Sequence, residues 1–144
     1  MIRKYSLKNE IKSVNKILRV IKNLPKIASN TFYIDGEVKQ YFYNDFSQIQ
    51  QFNNKILSCI PNCLYKPSLE IQILTTLGSI GYHRDDNNKR FMLIPIKCNT
   101  NTILFEEYQE VVIEPLKLYT FNDYNNHGLI TKTWNSKTIF IGID

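Results

Sequence analysis

The segment Gly81-Tyr82-His83-Arg84-Asp85-Asp86 places a histidine and a carboxylate two residues apart. In an extended segment successive side chains point to opposite faces, so His83 and Asp85 project to the same side. Asp86 is an alternative carboxylate, but the same alternation points it away from His83. Two of the three ligands that a divalent metal needs therefore lie side by side.

The second histidine of the chain, His127, can supply the missing ligand, since the sequence contains only two histidines. Two histidines and one carboxylate on one face of a metal suit Fe(II), because this set leaves positions open for substrate and oxygen. We therefore predict a metal site formed by His83, Asp85 and His127. Without His127, a histidine beside an aspartate would be better explained as a surface pair or a hydrogen-bonded pair.

The composition is that of an ordinary globular protein. The 144 residues are 43% hydrophobic and 22% charged, which favours one folded domain, residues 1 to 144, over a disordered chain. The net charge of +5 is compatible with an anionic partner but selects no function. No run approaches the ~20 apolar residues of a membrane span, and no signal-peptide core follows Met1. We expect a cytoplasmic protein with no membrane partner, and its three cysteines fit reduced thiols.

Residues 1 to 68 are expected to form a support of helices and a hairpin. Apolar residues recur at three- and four-residue steps over residues 6 to 24, which predicts an amphipathic helix that ends near Pro25. Aromatic and β-branched residues around Asp35-Gly36 predict a hairpin over residues 31 to 44. Asp45 is then the predicted cap of a second amphipathic helix, which Pro61 stops.

Residues 69 to 144 change to short strands separated by turn residues. We predict eight strands, at residues 69 to 77, 80 to 85, 90 to 97, 102 to 107, 110 to 114, 116 to 121, 127 to 133 and 137 to 143. Eight short strands after two helices predict a mainly β fold, a jelly roll with the helices packed on one sheet. Pro95 within the third strand requires an edge or a bulge at that position.

A lysine follows the second histidine by ten residues. Lys137 begins the last predicted strand, and alternation groups it with the isoleucines of that strand on a face expected to be buried. An unpaired buried charge is unfavourable, so this lysine predicts a buried anion. Arg90, on the third predicted strand, would bring a second cation to the same cavity. Metal ligands and a deep cation predict a pocket for a chelating dicarboxylic acid, unless Lys137 lies at the rim with its stem over apolar surface.

These residues give the chain a resemblance to the 2-oxoglutarate- and Fe(II)-dependent oxygenases. The superfamily signature is His-x-Asp, a distant histidine, and a lysine or arginine about ten residues later, which here are His83-Arg84-Asp85, His127 and Lys137. Residues 77 to 85 resemble the glycine-containing approach to the metal motif, and residues 113 to 121 resemble the strand pair that precedes the distal histidine. The resemblance implies a double-stranded β-helix over residues 69 to 144, a cupin-like fold, and the use of Fe(II), 2-oxoglutarate and O2.

The resemblance also implies roles for individual residues. Lys137 would pair with the far carboxylate of 2-oxoglutarate, and Arg90, Tyr82 and Thr75 are candidate contacts of the co-substrate. The lysine resembles that of the prolyl 4-hydroxylases, whereas residues 90 to 96 and 127 to 144 look more like the aspartyl/asparaginyl hydroxylases. The implied function is hydroxylation of a protein side chain or a small molecule, with succinate and CO2 as co-products.

Fold and metal do not identify the substrate, and two alternatives stay open. The first is a non-catalytic cupin-like metal- or ligand-binding protein, or a pseudoenzyme. The second is an oxygenase that modifies nucleic acid, although Lys132 and Lys137 stand where the alkylation-repair demethylases typically carry arginines. We expect residues 31 to 44, 86 to 89 and 122 to 126 to frame the substrate.

Overall fold

The computed structural model describes residues 1–9, 11–12, 14–85 and 90–144. Within these ranges the chain forms two helices, α1 (Val14–Lys22) and α2 (Ser47–Leu57). The strands are β1 (Arg3–Tyr5), β2 (Asn30–Ile34), β3 (Gly36–Phe42), β4 (Ile71–Leu77), β5 (Ile80–His83), β6 (Arg90–Lys97), β7 (Ile103–Glu106), β8 (Gln109–Val112), β9 (Leu118–Asn122), β10 (His127–Ile130) and β11 (Lys137–Ile143). Neither helix has the length and apolar character needed to cross a membrane, and the described ranges contain no other helix.

The strands form two antiparallel sheets that face each other. The large sheet has seven strands in the order β1-β9-β6-β11-β4-β3-β2, and the small sheet has four in the order β5-β10-β7-β8. The eight strands predicted from residue 69 onward are all present as β4 to β11, and the chain passes repeatedly from one sheet to the other. This arrangement is a jelly roll, so the predicted mainly β, cupin-like fold is confirmed.

Pro95 lies beside a β-bulge in the middle of the large sheet. The register between β6 and β11 shifts between Ile139, which pairs with Lys97, and Phe140, which pairs with Pro95. Ile96 is the extra residue between these pairs. A proline cannot donate a hydrogen bond to a neighbouring strand, and a bulge removes one such bond from the ladder. The strand therefore accommodates this proline in the way that the sequence requires.

The first predicted helix is wrong at its N-terminal end. The sequence predicts a helix over residues 6 to 24, whereas α1 begins at Val14 and Arg3–Tyr5 form an edge strand paired with β9. Glu10 and Ser13, which belong to the predicted helix, lie outside the described residues. The amide of Lys8 donates to the carbonyl oxygen of Cys59, so this segment is bonded to a distant loop rather than to a helical turn.

The hairpin prediction is confirmed, but the predicted cap of the second helix is wrong. β2 and β3 pair around Asp35, and β3 also pairs with β4, so the hairpin extends the large sheet. Phe46 occupies the N-cap position of α2, and no side chain there accepts a capping hydrogen bond. Asp45 lies one residue too early because its amide closes a turn onto the carbonyl oxygen of Phe42.

The large sheet is buried on both faces. One face packs against α1 and α2 through an aliphatic cluster, and we call it the helix-covered face; its sheet residues include Ile71, Ile73, Met92, Ile94, Ile139, Ile141 and Ile143. The other face looks toward the small sheet, and we call it the cavity face; it includes Leu74, Leu93, Phe121 and Phe140. Because side chains alternate along a strand, the two faces differ by one position in the sequence.

Candidate metal centre

His83 and His127 face each other on neighbouring strands of the small sheet. His83 is the last residue of β5, His127 is the first of β10, and the two are partners in the antiparallel register. Their ring centroids are 4.4 Å apart. The ring of His127 also packs against Phe121 of the large sheet, with 4.8 Å between centroids. Strand pairing thus brings together two residues that are distant in the sequence.

Hydrogen bonds to the backbone orient both imidazole rings. Nδ1 of His83 lies 2.8 Å from the carbonyl oxygen of Gly81, and Nδ1 of His127 lies 2.7 Å from the carbonyl oxygen of Asn125. A carbonyl oxygen only accepts, so each Nδ1 carries the hydrogen and donates it. In the neutral ring the lone pair is then on Nε2, and histidines that bind metals are commonly oriented in this way.

Asp85 completes a group of three potential metal ligands. One ligand atom from each of His83, Asp85 and His127 lies within 4.8 Å of the others. Oδ2 of Asp85 is 3.6 Å from Nε2 of His127, and the amide of Asp85 donates to the carbonyl oxygen of Asp123. The side chain of His127 is 7% exposed, whereas that of Asp85 is 48% exposed. The group can therefore hold a metal that is reached from solvent on the Asp85 side.

His127 is held in its neutral form. Burial is the main cause that lowers the pKa of His127, and it outweighs the hydrogen bond to the carbonyl of Asn125, which raises that pKa. The neighbouring His83 lowers the pKa further. Burial acts in this direction because it disfavours the charged imidazolium. A neutral imidazole is the form that binds a metal.

Two glycines lie beside the candidate ligands, and one of them allows the strands to approach closely. A Cβ atom at Gly128 would collide with the carbonyl oxygen of Ile80 and with the ring of Phe105. A Cβ atom at Gly81 would collide with the carboxylate of Asp35. Gly81 supplies the carbonyl that orients His83. The carboxylate of Asp35 is the far end of an exposed side chain and can move aside, so Gly128 is the position where a side chain would push the strands apart. The sequence could have pointed to these glycines by their position, since each lies within two residues of a histidine.

A cavity of about 120 Å³ lies between the two sheets and reaches the three candidate ligands. Its wall is mainly aliphatic and aromatic and includes Leu74, Phe91, Leu93, Leu104, Leu129 and Phe140. Apart from the candidate ligands, Gln40 and Thr76 are the polar side chains in the described wall. No lysine or arginine of the described residues lines this cavity. The space beside the candidate metal centre is therefore apolar, and no positively charged side chain is part of its described wall.

The structure places Lys137 outside the cavity. Lys137 is exposed, and it lies on the helix-covered side with Ile139, because β4 and β11 pair without a register shift from Leu77 to Ile71. The isoleucines with which it alternates are buried, as predicted, but against the helices. A strand buried on both faces gives the same apolar signal for either face, so alternation could not identify the side that meets the cavity.

The other three predicted co-substrate contacts also lie away from the cavity. Thr75 pairs with Ile139, and Arg90 lies beside Met92, so both are on the helix-covered side. Tyr82 is on the outer side of the small sheet, where its ring packs against Phe105 and its hydroxyl donates to the carbonyl of Glu107. The predicted contacts with 2-oxoglutarate are thus not brought to the three candidate ligands.

Thr138, not Lys137, occupies the inward position at the start of β11. Thr138 is fully buried and pairs with Thr76 of β4, which lines the cavity. The hydroxyl oxygens of both threonines are buried and have no hydrogen-bond partner among the described residues. Neither threonine is among the residues predicted from the sequence.

Two of the three segments expected to frame a substrate are described. Phe32, Val38 and Gln40 of the β2–β3 hairpin line the cavity. The segment 122 to 126 includes Asn125, whose carbonyl orients His127. Residues 86 to 89, with the alternative carboxylate Asp86, lie outside the described residues.

No protein-family model matches the sequence, and no curated protein matches it. Solved structures do share the fold. HygX from Streptomyces hygroscopicus, with nickel, 2-oxoglutarate and hygromycin B bound, is 8% identical, with a TM-score of 0.61 over 99% of this chain and 82% of that one. A prolyl hydroxylase from Trichoplax adhaerens, in complex with a peptide of hypoxia inducible factor, is 13% identical, with a TM-score of 0.56 over 99% of this chain and 81% of that one. A cupin 2 domain-containing protein from Halorhodospira halophila is 8% identical, with a TM-score of 0.50 over 99% of this chain and 76% of that one. At these identities the likeness establishes the fold alone.

Proposed function

We propose that the protein is a mononuclear metal-dependent oxygenase in which His83, Asp85 and His127 hold Fe(II). The observation that carries this proposal is the orientation of the two imidazoles. Each donates Nδ1–H to a backbone carbonyl and leaves Nε2 available beside the carboxylate of Asp85. Two nitrogens and one carboxylate oxygen suit Fe(II) in oxygenases, because coordination positions stay open for substrate and oxygen.

The residues of the chain would set the geometry of this centre. The carbonyls of Gly81 and Asn125 fix the two rings, and the bond from the amide of Asp85 to Asp123 fixes the backbone that carries the carboxylate. Burial keeps His127 neutral and ready to bind. The apolar cavity would exclude water from the reacting groups on the inner side. Bound Fe(II) would supply the activation of O2.

A 2-oxo acid is the co-substrate that we propose for this centre. In the reaction, one oxygen atom of O2 enters the 2-oxo acid, which loses CO2 and becomes a carboxylic acid with one carbon fewer. The other oxygen atom converts a C–H bond of the substrate to C–OH, so the 2-oxo acid and the substrate each give two electrons to O2. With 2-oxoglutarate the co-products are succinate and CO2. The substrate class that we propose is a protein side chain or a small molecule.

Anaerobic titration with Co(II), a spectroscopic substitute for Fe(II), tests the centre. The metal should give d–d absorption and should stabilise the folded protein by about 2.7 kcal/mol at a hundredfold excess over Kd. His127→Ala should abolish both effects because it removes one of three ligands. Tyr82→Phe alters a side chain on the outer side of the small sheet and should retain both. A wild-type protein that takes up no metal would refute the proposal, as would a His127→Ala variant that binds metal equally well.

A non-catalytic metal- or ligand-binding protein is the second candidate. It is favoured by the described cavity wall, which offers no cation to the far carboxylate of 2-oxoglutarate. Release of CO2 from carboxyl-labelled 2-oxo acids by the Fe(II)-loaded protein distinguishes the two candidates. An oxygenase should release CO2 slowly even without its substrate, and His127→Ala should not. A protein that binds the metal and releases no CO2 from any 2-oxo acid would fit the second candidate.

A further inference from the structure

We propose that the 2-oxo acid used at this centre carries an apolar chain, so that 2-oxoglutarate is not its preferred co-substrate. This inference rests on the proposed function and names the chemical class of its co-substrate. The cavity between the sheets reaches the three candidate ligands, so we take it as the space that receives the chain of a 2-oxo acid bound by its keto-acid end. The wall that this chain would meet decides which 2-oxo acid fits.

The described wall offers no partner for a second carboxylate. Leu74, Leu93 and Phe140 of the large sheet and Leu104 and Leu129 of the small sheet surround the space beyond the candidate ligands. No cationic side chain in the described part of the chain joins them. A carboxylate at this depth would lose its hydration without gaining an ion pair, and an unpaired buried charge is strongly unfavourable. The cavity should therefore exclude a dicarboxylate.

The two threonines at the start of β11 and the end of β4 do not change this conclusion. The hydroxyl oxygens of Thr76 and Thr138 are buried from solvent within the packed wall. A group that enters the cavity therefore meets carbon atoms rather than these hydroxyls. Neutral hydroxyls would also leave the charge of a carboxylate uncompensated. Gln40 is the other polar side chain of the described wall beside the candidate ligands, and it is neutral as well.

The size of the cavity fits a compact apolar group. Its volume is about 120 Å³. An apolar cavity of about 150 Å³ lined by leucine, isoleucine and phenylalanine stays dry and binds benzene. A branched aliphatic chain therefore matches both the volume and the chemistry of this wall.

A pair of 2-oxo acids with the same shape tests the inference. In 2-oxo-5-methylhexanoate an isopropyl group replaces the far carboxylate of 2-oxoglutarate, while the keto-acid end is unchanged. Both are titrated anaerobically into the Co(II)-loaded full chain by calorimetry. The isopropyl compound should bind at least about tenfold more tightly, because only 2-oxoglutarate must bury a second charge.

Two adjacent substitutions sharpen the test. Thr138→Lys introduces a cation on the cavity face and should shift the affinity ratio toward 2-oxoglutarate. Lys137→Ala, one residue away on the helix-covered side, should leave both affinities unchanged. Tighter binding of 2-oxoglutarate than of the isopropyl compound by the wild type would overturn the inference. Loss of 2-oxoglutarate binding in Lys137→Ala would overturn it as well.

The two proposals fail in different ways. A protein that binds no Co(II) refutes the proposed function and this inference with it. A Co(II)-loaded protein that prefers 2-oxoglutarate refutes this inference alone. The wild-type affinity ratio decides the matter even if Thr138→Lys does not fold.

Discussion

The two faces of the large sheet are both buried, but they are packed differently. On the helix-covered face, aliphatic side chains such as Ile141 pack in one cluster with residues of α1 and α2. On the cavity face, Leu74, Leu93 and Phe140 border an open space that reaches the candidate metal ligands. The two faces are similarly hydrophobic, but only the cavity face borders this open space. We infer that the helix-covered face chiefly stabilises the fold, whereas the cavity face leaves the space in which the proposed co-substrate would bind.

The largest expected effect compares one truncation on each face. Ile141 is 1% exposed, and Ile141→Ala should lower the free energy of unfolding by about 3 to 4 kcal/mol because it leaves a void in a packed cluster. Leu74 is partly buried and already borders a cavity, so Leu74→Ala should lower it by about 1 to 2 kcal/mol. Urea unfolding of both variants measures the difference. Equal losses would show that the cavity face is packed as tightly as the other.

A smaller effect is expected from the buried hydroxyl of Thr138 on the cavity face. Thr138→Val keeps the shape of the side chain and removes a buried group that has no hydrogen-bond partner among the described residues. This substitution should raise the free energy of unfolding by about 1 kcal/mol. Thr102 is the matched control, since it is equally buried but donates from its hydroxyl to the carbonyl of Asn99 at 2.8 Å. Thr102→Val should therefore lower the free energy of unfolding by a similar amount.

Thermal and urea unfolding of the two valine variants check this contrast. Thr120→Val extends it to the helix-covered face, where another buried hydroxyl has no partner among the described residues. Thr120→Val should stabilise the protein in the same way as Thr138→Val. Destabilisation by Thr138→Val alone would mean that the cavity-face hydroxyl has a partner in solution, such as an ordered water.

Much of the fold could be predicted because its signals are local. The eight strands from residue 69 onward each carry a β-rich segment bounded by turn residues, and all eight are present. The edge strand β1 could not be predicted, because three residues give too short a pattern and their partner, β9, is distant in the sequence. The prediction that Asp45 caps α2 is wrong for a related reason. Asp45 has the right chemistry, but a turn that starts at Phe42 shifts the helix by one residue.

The candidate ligands and the cavity wall differ in how far the sequence could predict them. Two histidines in the whole chain made the choice of His83 and His127 almost forced, and strand pairing does bring them together. The role of Lys137 depended on the face to which β11 turns that residue. Alternation shows which residues of a strand share a face. It does not show which of the two faces meets the cavity when both are buried. Only the pairing with β4 shows that Thr138 points inward.

The smallest expected effect concerns Lys137 itself. Because the side chain is exposed on the helix-covered side, Lys137→Met should change the free energy of unfolding by less than about 0.5 kcal/mol. The stabilisation by Co(II) should also stay the same, because Lys137 does not line the cavity that reaches the candidate ligands. Thermal unfolding with and without the metal measures both quantities. A lysine buried against an anion would instead produce a large loss of stability on substitution, since the anion would be left unpaired. A large loss would therefore place Lys137 on the cavity face and remove the distinction between the two faces at this end of β11.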